Sequence, residues 1–216
     1  MRNIVCLISG RGSNLDAILR CARDENWAQT LDARVAGVIS NRADAAGLQV
    51  ARAAGVAMHV IAHGDFASRE TFDAALTKAI DAYDPALVVL AGFMRVLTPR
   101  FVDRYAGRLI NIHPSLLPAF PGLHTHRQAL AAGVKVHGCT VHFVSNEVDG
   151  GPIIAQAAVK VQADDTEDSL AARVLAQEHR LLPRCVRWFC EGRIRLEGRR
   201  VIAHELSADA QSVLAA

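Results

Sequence analysis

Short apolar runs alternate with segments of helical periodicity along the first half of this chain. The run at residues 2–8 leads into a glycine-rich turn, after which leucine and isoleucine recur at helical spacing over residues 15–19. The alternation continues over residues 33–61, where a helix is expected over residues 44–54, and again over residues 68–91, where Ser68 opens a helix. Thr98 and Pro99 are suited to begin a further short helix. Such a pattern is typical of βαβ units that share a parallel sheet. We therefore predict an α/β fold built on a single doubly wound, mostly parallel, Rossmann-like sheet.

The second half of the chain carries additions of another kind. Residues 136–144 alternate enough to form a strand, and residues 153–161 form a second strand after a turn-rich connection. Two such strands indicate an antiparallel addition to the parallel sheet. A long amphipathic helix follows, with Asp165 or Thr166 as its N-cap, and residues 193–202 have the pattern of a terminal hairpin.

Composition limits the class of protein. The chain has 216 residues, 51% hydrophobic and 21% charged, so we predict one domain over residues 1–206 and a flexible tail over residues 207–216. The net charge of +2, without a basic run, argues against a nucleic-acid or membrane surface. Because no signal peptide or membrane-spanning run stands out, we expect a cytoplasmic protein. The five cysteines lack a C-x-x-C pair and are predicted to be reduced, mostly in the core.

The segment Asn-Ile-His-Pro-Ser-Leu-Leu-Pro at residues 111–118 carries the strongest candidate chemistry. It continues an apolar run that reads as a short buried strand, so Asn111 and His113 share one face at the strand's end. Open α/β sheets place their chemistry at that end of the strands. Asparagine supplies a neutral amide donor, and histidine supplies a proton that moves near neutral pH. We predict a catalytic pair; the alternative is a structural histidine bonded to backbone.

The glycine-rich turn after the first strand is a candidate phosphate site. Its backbone N–H groups and the N-terminus of the next helix can hold an anion, with Ser13 and Asn14 beside Gly12 as further donors. The turn matches neither G-x-G-x-x-G nor G-x-x-x-x-G-K-[ST], which disfavours a dinucleotide or a nucleoside triphosphate. A tight turn with an N-cap is the alternative interpretation.

The segment after the fourth strand can form a slot for a flat heterocycle. It is apolar yet contains Arg95, while Met94, Val96 and Leu97 are also candidates for ordinary core. Arg69 begins a helix, where the macrodipole disfavours a cation. A carboxylate partner would explain Arg69, although a solvent-facing arginine is the simpler account.

Two further sets of polar residues are candidates for a site. Asp149 precedes two glycines that let backbone approach a ligand closely, although an aspartate in a turn is common. Nine histidines raise the possibility of a metal site, which we do not predict because no H-E-x-x-H motif accompanies them. The candidate metal ligands are His124, His126, His137 and His142.

Five motifs together resemble the phosphoribosylglycinamide formyltransferase family, whose members are folate-dependent enzymes of purine synthesis. They are Ile-Ser-Gly-x-Gly-Ser-Asn-Leu, Val-Leu-Ala-Gly-Phe-Met-Arg, Asn-Ile-His-Pro-Ser-Leu-Leu-Pro, Gly-Leu-His-Thr-His and Asp-Gly-Gly-Pro, in order over residues 2–192. The resemblance implies the formyltransferase fold and formyl transfer from 10-formyltetrahydrofolate to the amine of phosphoribosylglycinamide, without a metal. The expected partners are small molecules, not nucleic acid or membrane, and the expected assembly is a monomer or homodimer.

The resemblance also implies roles for individual residues. The catalytic trio would be Asn111, His113 and Asp149. The substrate would bind through its phosphate at Gly12, Ser13 and Asn14 and through its ribose at Glu178. The folate site would comprise Arg69, Met94, Arg95, Val96, Leu97 and Asn111. The chain departs from the family pattern at Arg11, which adds charge beside the phosphate loop, and at Leu175, where relatives often carry Lys or Gln.

The chemistry of these residue types agrees with formyl transfer. An amine that attacks a formamide carbon creates an oxyanion, to which Asn111 and His113 can donate hydrogen bonds. His113 can also carry a proton from the amine to the departing folate nitrogen, with Asp149 orienting its ring.

A formyltetrahydrofolate hydrolase or another folate-dependent formyltransferase is the alternative. The hydrolase is disfavoured because the first strand starts at residue 2, without a preceding regulatory domain. A silent mononucleotide-binding module would be expected to lack the trio.

Overall fold

The computed structural model describes residues 1–204, 206 and 212–214. Two compact units are present, Met1–Asn111 and Ile112–Ala216. The strands of the main sheet follow the order β10-β7-β6-β5-β4-β1-β2-β3. Their bounds are β1 Arg2–Ile8, β2 Ala33–Ser40, β3 Ala57–Val60, β4 Pro85–Leu90, β5 Leu109–His113, β6 Val136–Phe143, β7 Ile153–Lys160 and β10 Ser212–Leu214. The predicted α/β fold with a mostly parallel sheet is confirmed.

The first unit is an alternation of strands and helices. Strand β1 pairs in parallel with β2 and β4, β2 with β3, and β4 with β5. The helices are α1 Ser13–Asp24, α2 Trp27–Thr30, α3 Gly47–Ala53, α4 Arg69–Asp81 and α5 Pro99–Arg104. The apolar side chains of residues 4–8 on β1 are fully buried, as are those of residues 87–89 on β4. Continuous rather than alternating burial is expected of strands covered on both faces.

Local sequence signals set the start of two helices in this unit. The Ser68 side chain accepts a hydrogen bond from the Thr71 N–H, and the Thr71 hydroxyl is bonded in return, which forms a capping box at the start of α4. Thr98 accepts from the Phe101 N–H at the start of α5, with Pro99 in the first helical position. Both helices therefore begin where the sequence predicts.

The second unit holds the antiparallel additions. Strands β6 and β7 pair antiparallel, and β10 runs parallel to β7. The remaining elements are α6 Thr125–Ala132, α7 Glu167–Cys190, β8 Ile194–Glu197 and β9 Arg200–Ala203. Helix α7 packs on β6 and β7, and β8 and β9 form a separate two-stranded sheet, the predicted terminal hairpin. Thr166, one of the two N-cap candidates, caps α7 through a capping box with Ser169.

Some boundaries differ from the sequence interpretation. The helix expected from residue 44 begins only at Gly47, because the Asp44 carboxylate bonds back to the Arg42 guanidinium at 2.7 Å in the preceding turn. Helix α2 was not predicted, since four residues are too few to show a helical period. Residues 207–211 and 215–216 of the predicted tail lie outside the described residues. No helix in the described part of the chain is long and apolar enough to cross a membrane.

The cysteines are free, as the sequence predicts. Four of them are buried, namely Cys6, Cys139, Cys185 and Cys190, and Cys21 is half-buried. Burial raises the pKa of the Cys6 thiol to about 12, so this side chain stays protonated near neutral pH and behaves as a small apolar group.

Candidate active site

Strand β5 presents the two residues predicted to act together. Asn111 is half-buried within the strand and pairs in register with Leu90 of β4. His113 is the last residue of the strand and only 5% exposed. Pro114 follows directly and, lacking an N–H, cannot extend the ladder. The predicted spacing of two residues at a strand end is therefore present.

His113 is held between two hydrogen-bond acceptors. Its Nε2 lies 3.0 Å from the carbonyl oxygen of Phe120, and its Nδ1 lies 3.4 Å from Oδ1 of Asp149. A carbonyl oxygen and a carboxylate only accept, so Nε2 must carry a proton in this arrangement. The two acceptors therefore fix the orientation of the ring.

Asp149 itself is fixed on both sides. Its backbone has φ 53°, in the left-handed region that residues other than glycine seldom adopt. Oδ2 accepts a hydrogen bond from the Gly122 N–H at 2.8 Å, and Oδ1 also lies 3.9 Å from Nε2 of His142. Burial lowers the pKa of His142 below its ordinary value, against the opposing effect of the Asp149 charge. Asp149 thus joins His113 to the loop that contains Gly122.

The glycines after Asp149 serve the chain's own packing. A Cβ atom at Gly151 would collide with the carbonyl oxygen of Phe143, and one at Gly150 would lie 2.5 Å from the Glu147 side chain. The close backbone approach expected of these glycines is therefore an approach to the end of β6 and its turn. This approach brings residue 149 back beside His142 and His113.

A buried hydroxyl organises the irregular loop after His113. The Thr140 hydroxyl on β6 donates to the Ser115 carbonyl at 2.7 Å and accepts from the Leu117 N–H at 3.0 Å. The Gln156 side chain on β7 donates both to Thr140 and to the Leu117 carbonyl. Within the loop, the Ser115 hydroxyl donates to the Ala119 carbonyl. The segment that carries the Phe120 carbonyl is therefore tied to the strands beneath it.

The predicted phosphate loop lies in the first unit, between β1 and α1. Gly12 has φ 77°, and a Cβ atom there would collide with Cα of Gly47, so the turn requires glycine. The Gly10 carbonyl accepts from the Gly47 N–H at 3.0 Å. Helix α1 begins at Ser13 without a side-chain cap, and Asn14 is buried in its first turn. Such a helix start provides N–H groups and a positive dipole end for an anion.

The segment at residues 94–97, which follows β4 in the first unit, exposes apolar side chains. Met94 is 69% exposed and Val96 53% exposed, while Arg95 and Leu97 are half-buried. Exposure on this scale excludes ordinary core for Met94 and Val96. We call this segment the 94–97 loop.

Two arginines lie at the start of helix α4. The Arg95 guanidinium stands 5.9 Å from the ring centroid of Phe72, in the first turn of the helix, and its buried Nε has no hydrogen-bond partner among the described residues. Arg69 is the first residue of α4 and exposed. The Arg95 Nε therefore retains an unused donor for an acceptor group of a ligand.

Comparisons with known proteins decide the family. Residues 2–186 match the family model described as formyl transferase. The chain belongs to the formyl transferase family. It is 52% identical over 214 residues to the phosphoribosylglycinamide formyltransferase of Escherichia coli strain K12, covering 96% of this chain and 99% of that protein.

Solved structures place this formyl transferase among the same relatives. It is similar to glycinamide ribonucleotide transformylase 1 from Symbiobacterium toebii, with a TM-score of 0.90, 52% identity and 95% of each chain covered. It is also similar to the phosphoribosylglycinamide formyltransferase from Coxiella burnetii, solved in complex with CHES. That match has a TM-score of 0.89 and 45% identity, covering 98% of this chain and 99% of that chain.

One predicted substrate contact lies on helix α7 of this formyl transferase. Glu178 is 7% exposed, and Leu175, one turn earlier, is half-buried. Burial and the nearby Glu178 carboxylate raise the pKa of the Cys139 thiol on β6. Glu178 therefore lies within electrostatic reach of β6.

The histidines weighed as metal ligands have other neighbours. Among the described residues, no group of three or more His, Cys, Asp or Glu side chains is placed to hold a metal ion. Nε2 of His137 lies 3.2 Å from Nδ1 of His126, and burial, with His126 nearby, lowers the pKa of His137 to about 4. His124 is exposed and precedes helix α6, while His142 faces Asp149.

Sequence reasoning missed three participants around His113. The Phe120 carbonyl has no signature, because any residue carries one. His142 was considered only as a metal ligand, although it stands seven residues before Asp149 across a turn, which was a usable signal. Thr140 gave no signal, since a threonine in a strand is ordinary.

Proposed function

We propose that this formyl transferase transfers the formyl group of 10-formyltetrahydrofolate to the amine of N1-(5-phosphoribosyl)glycinamide, a step of de novo purine biosynthesis. The observation that carries the proposal is His113 at the end of β5, held between the Asp149 carboxylate and the Phe120 carbonyl. Its neighbour on the strand, Asn111, adds an amide donor. The names of the E. coli and S. toebii relatives support the same reaction.

The chemistry follows from the donors at the strand end. The substrate amine attacks the formyl carbon, and the carbonyl electrons move to oxygen. Asn111 stabilises the resulting oxyanion by a hydrogen bond that strengthens as charge develops, and His113 joins it when its Nε2–H exchanges the Phe120 carbonyl for the oxyanion. One proton leaves the new ammonium centre and one reaches the folate nitrogen as the carbon–nitrogen bond breaks, with His113 as carrier. Asp149 keeps the ring oriented and balances its positive charge.

Substrate binding is divided between two sets of residues. The phosphate of the acceptor binds at Gly12, Ser13 and Asn14, where a helix start receives an anion. Its ribose hydroxyls donate to the Glu178 carboxylate. The formyl donor is bound by Asn111, Arg69, Met94, Arg95, Val96 and Leu97.

The remaining properties follow from the same reaction. The co-substrate carries the formyl group, and the proposed chemistry needs no metal. The partners are the two small molecules rather than nucleic acid or a membrane, as the net charge of +2 without a basic run indicates. We place the protein in the cytoplasm, as a monomer or homodimer, with one functional domain over residues 1–206.

Isotope labelling tests this proposal directly. The purified chain is incubated with donor labelled in the formyl carbon and with phosphoribosylglycinamide, and the products are separated by mass. The expected result is label on the glycinamide nitrogen with stoichiometric tetrahydrofolate. Unlabelled acceptor, with label in another product, would contradict the assignment.

A further inference from the structure

The 94–97 loop is held at its first residue by a buried serine. The backbone N–H of Met94 donates to the hydroxyl oxygen of Ser9 at 2.7 Å. Ser9 directly follows β1 and is only 7% exposed. Its own hydroxyl proton goes to Oδ1 of Asn41, which directly follows β2 and lies 2.6 Å away. The start of the loop is thus tied to the carboxyl ends of two neighbouring strands.

The other end of the loop is held by a buried carboxylate. The N–H of Thr98, the residue after the loop, donates to Oδ2 of Asp73 at 2.7 Å. Asp73 belongs to helix α4 and is 4% exposed. Two side chains from separate elements therefore fix the positions at which the loop begins and ends.

Between these two anchors the backbone is unpaired. Within the described part of the chain, the N–H and C=O groups of residues 95–97 make no hydrogen bond. The side chains of Met94 and Val96 are largely exposed on the same segment. A stretch of this kind offers hydrogen-bonding groups and apolar contact to a planar ligand, as a strand edge offers them to another strand.

We propose that Ser9 and Asp73 are positioning residues for the formyl donor, holding the 94–97 loop in the conformation that binds the pterin ring. The inference rests on the proposed function and deepens it. Neither side chain is required to touch the ligand. Each lowers the entropy that the loop would lose on binding, because the anchored backbone is already ordered in the free protein.

Substitution of Ser9 tests the first anchor. Ser9→Ala removes the acceptor for the Met94 N–H and is expected to raise KM for 10-formyltetrahydrofolate about tenfold, with kcat at saturating donor nearly unchanged. The dissociation constant for tetrahydrofolate should rise by the same factor. Ser9→Thr, which keeps the hydroxyl, should restore most of the affinity.

Ser40→Ala is the matched control. Ser40 is likewise buried and ends a strand, but its hydroxyl donates to the Arg42 carbonyl within a local turn. This variant should lose comparable stability and keep the wild-type KM for the donor. If both alanine variants raise the donor KM equally, the effect comes from general destabilisation and the positioning role is refuted.

Substitution of Asp73 tests the second anchor without relying on Ser9. Asp73→Ala should raise the donor KM about tenfold while the KM for phosphoribosylglycinamide stays constant. Asp73→Asn retains an acceptor oxygen and should lie close to wild type. An unchanged donor KM in folded Ser9→Ala and Asp73→Ala would overturn the inference while leaving the proposed function intact. Failure of the wild-type chain to bind tetrahydrofolate would instead contradict the proposed function.

Discussion

At the scale of single residues, the arrangement around His113 depends on contacts between groups distant in sequence. His113 and Asp149 are 36 positions apart, yet Nδ1 and Oδ1 are 3.4 Å apart. The residue types and the strand-end position were predictable from the motif at residues 111–118. The Phe120 carbonyl was not, because its position depends on how the loop folds over Thr140.

Loss of either His113 or Asp149 should slow the reaction. His113→Ala and Asp149→Asn are each expected to lower kcat by roughly a hundredfold, because each removes charge stabilisation or proton transfer in the transition state. The double variant should lose less than the product of the two, since the pair acts as a unit. Steady-state kinetics measure this, with the exposed His59→Ala as control. Near-normal turnover in either folded variant would be incompatible with the proposed site.

Removal of Arg69 should affect one substrate only. Its exposed side chain is expected to pair with a folate carboxylate in solvent, so Arg69→Ala should raise the donor KM only a few-fold. The difference from wild type should shrink as salt is added. The acceptor KM serves as the internal reference. A larger change in the acceptor KM than in the donor KM would contradict the assignment of Arg69 to the formyl donor.

At the scale of elements, local signals succeed where they act over a few residues. The sequence predicts helix starts at Ser68 and at Asp165 or Thr166, and the capping boxes at Ser68 and Thr166 set the starts of α4 and α7. Continuous apolar runs identified the strands, because burial on both faces leaves few polar positions in a strand. The anchors of the 94–97 loop could not be found this way. Ser9 and Met94 are 85 positions apart, and no local pattern connects them.

The cap of α7 provides a test of element stability. Thr166→Ala removes the acceptor of the Ser169 N–H and should lower the free energy of unfolding by about 1 kcal/mol. Thr77→Ala, inside α4, is the matched control and should be neutral or slightly stabilising, since alanine favours helix interiors. Urea unfolding measures both. Equal stability of the two variants would show that the cap contributes nothing.

At the scale of the whole molecule, the titration of histidines contributes to how stability depends on pH. The pKa of His137 is about 4 in the folded chain and near 6.5 when unfolded. Between these values the unfolded chain takes up a proton that the folded chain refuses. The contribution of His137 to stability is therefore complete above pH 6.5 and is lost as the pH falls toward 4. Burial also lowers the pKa of His126 and of His142, so both contribute to the pH dependence with the same sign.

This titration predicts acid sensitivity that a substitution should reduce. Between pH 7 and pH 4.5 the wild-type free energy of unfolding should fall, with up to about 3 kcal/mol from His137. His137→Gln should show a smaller fall over the same range, whatever its stability at pH 7. The exposed His204→Gln should follow wild type. An equal pH dependence in His137→Gln and wild type would refute the assignment to His137.

The measurement that tests the central claim most directly compares donor consumption with and without acceptor. Transfer and hydrolysis pass through the same oxyanion, so the trio alone does not separate them. In the proposed function the acceptor binds through its phosphate, which would deliver its amine at high effective concentration, whereas water has no such anchor. We predict that phosphoribosylglycinamide accelerates consumption of 10-formyltetrahydrofolate by about a hundredfold or more, with formylated acceptor as product. Equal rates without acceptor, with free formate released, would contradict the account.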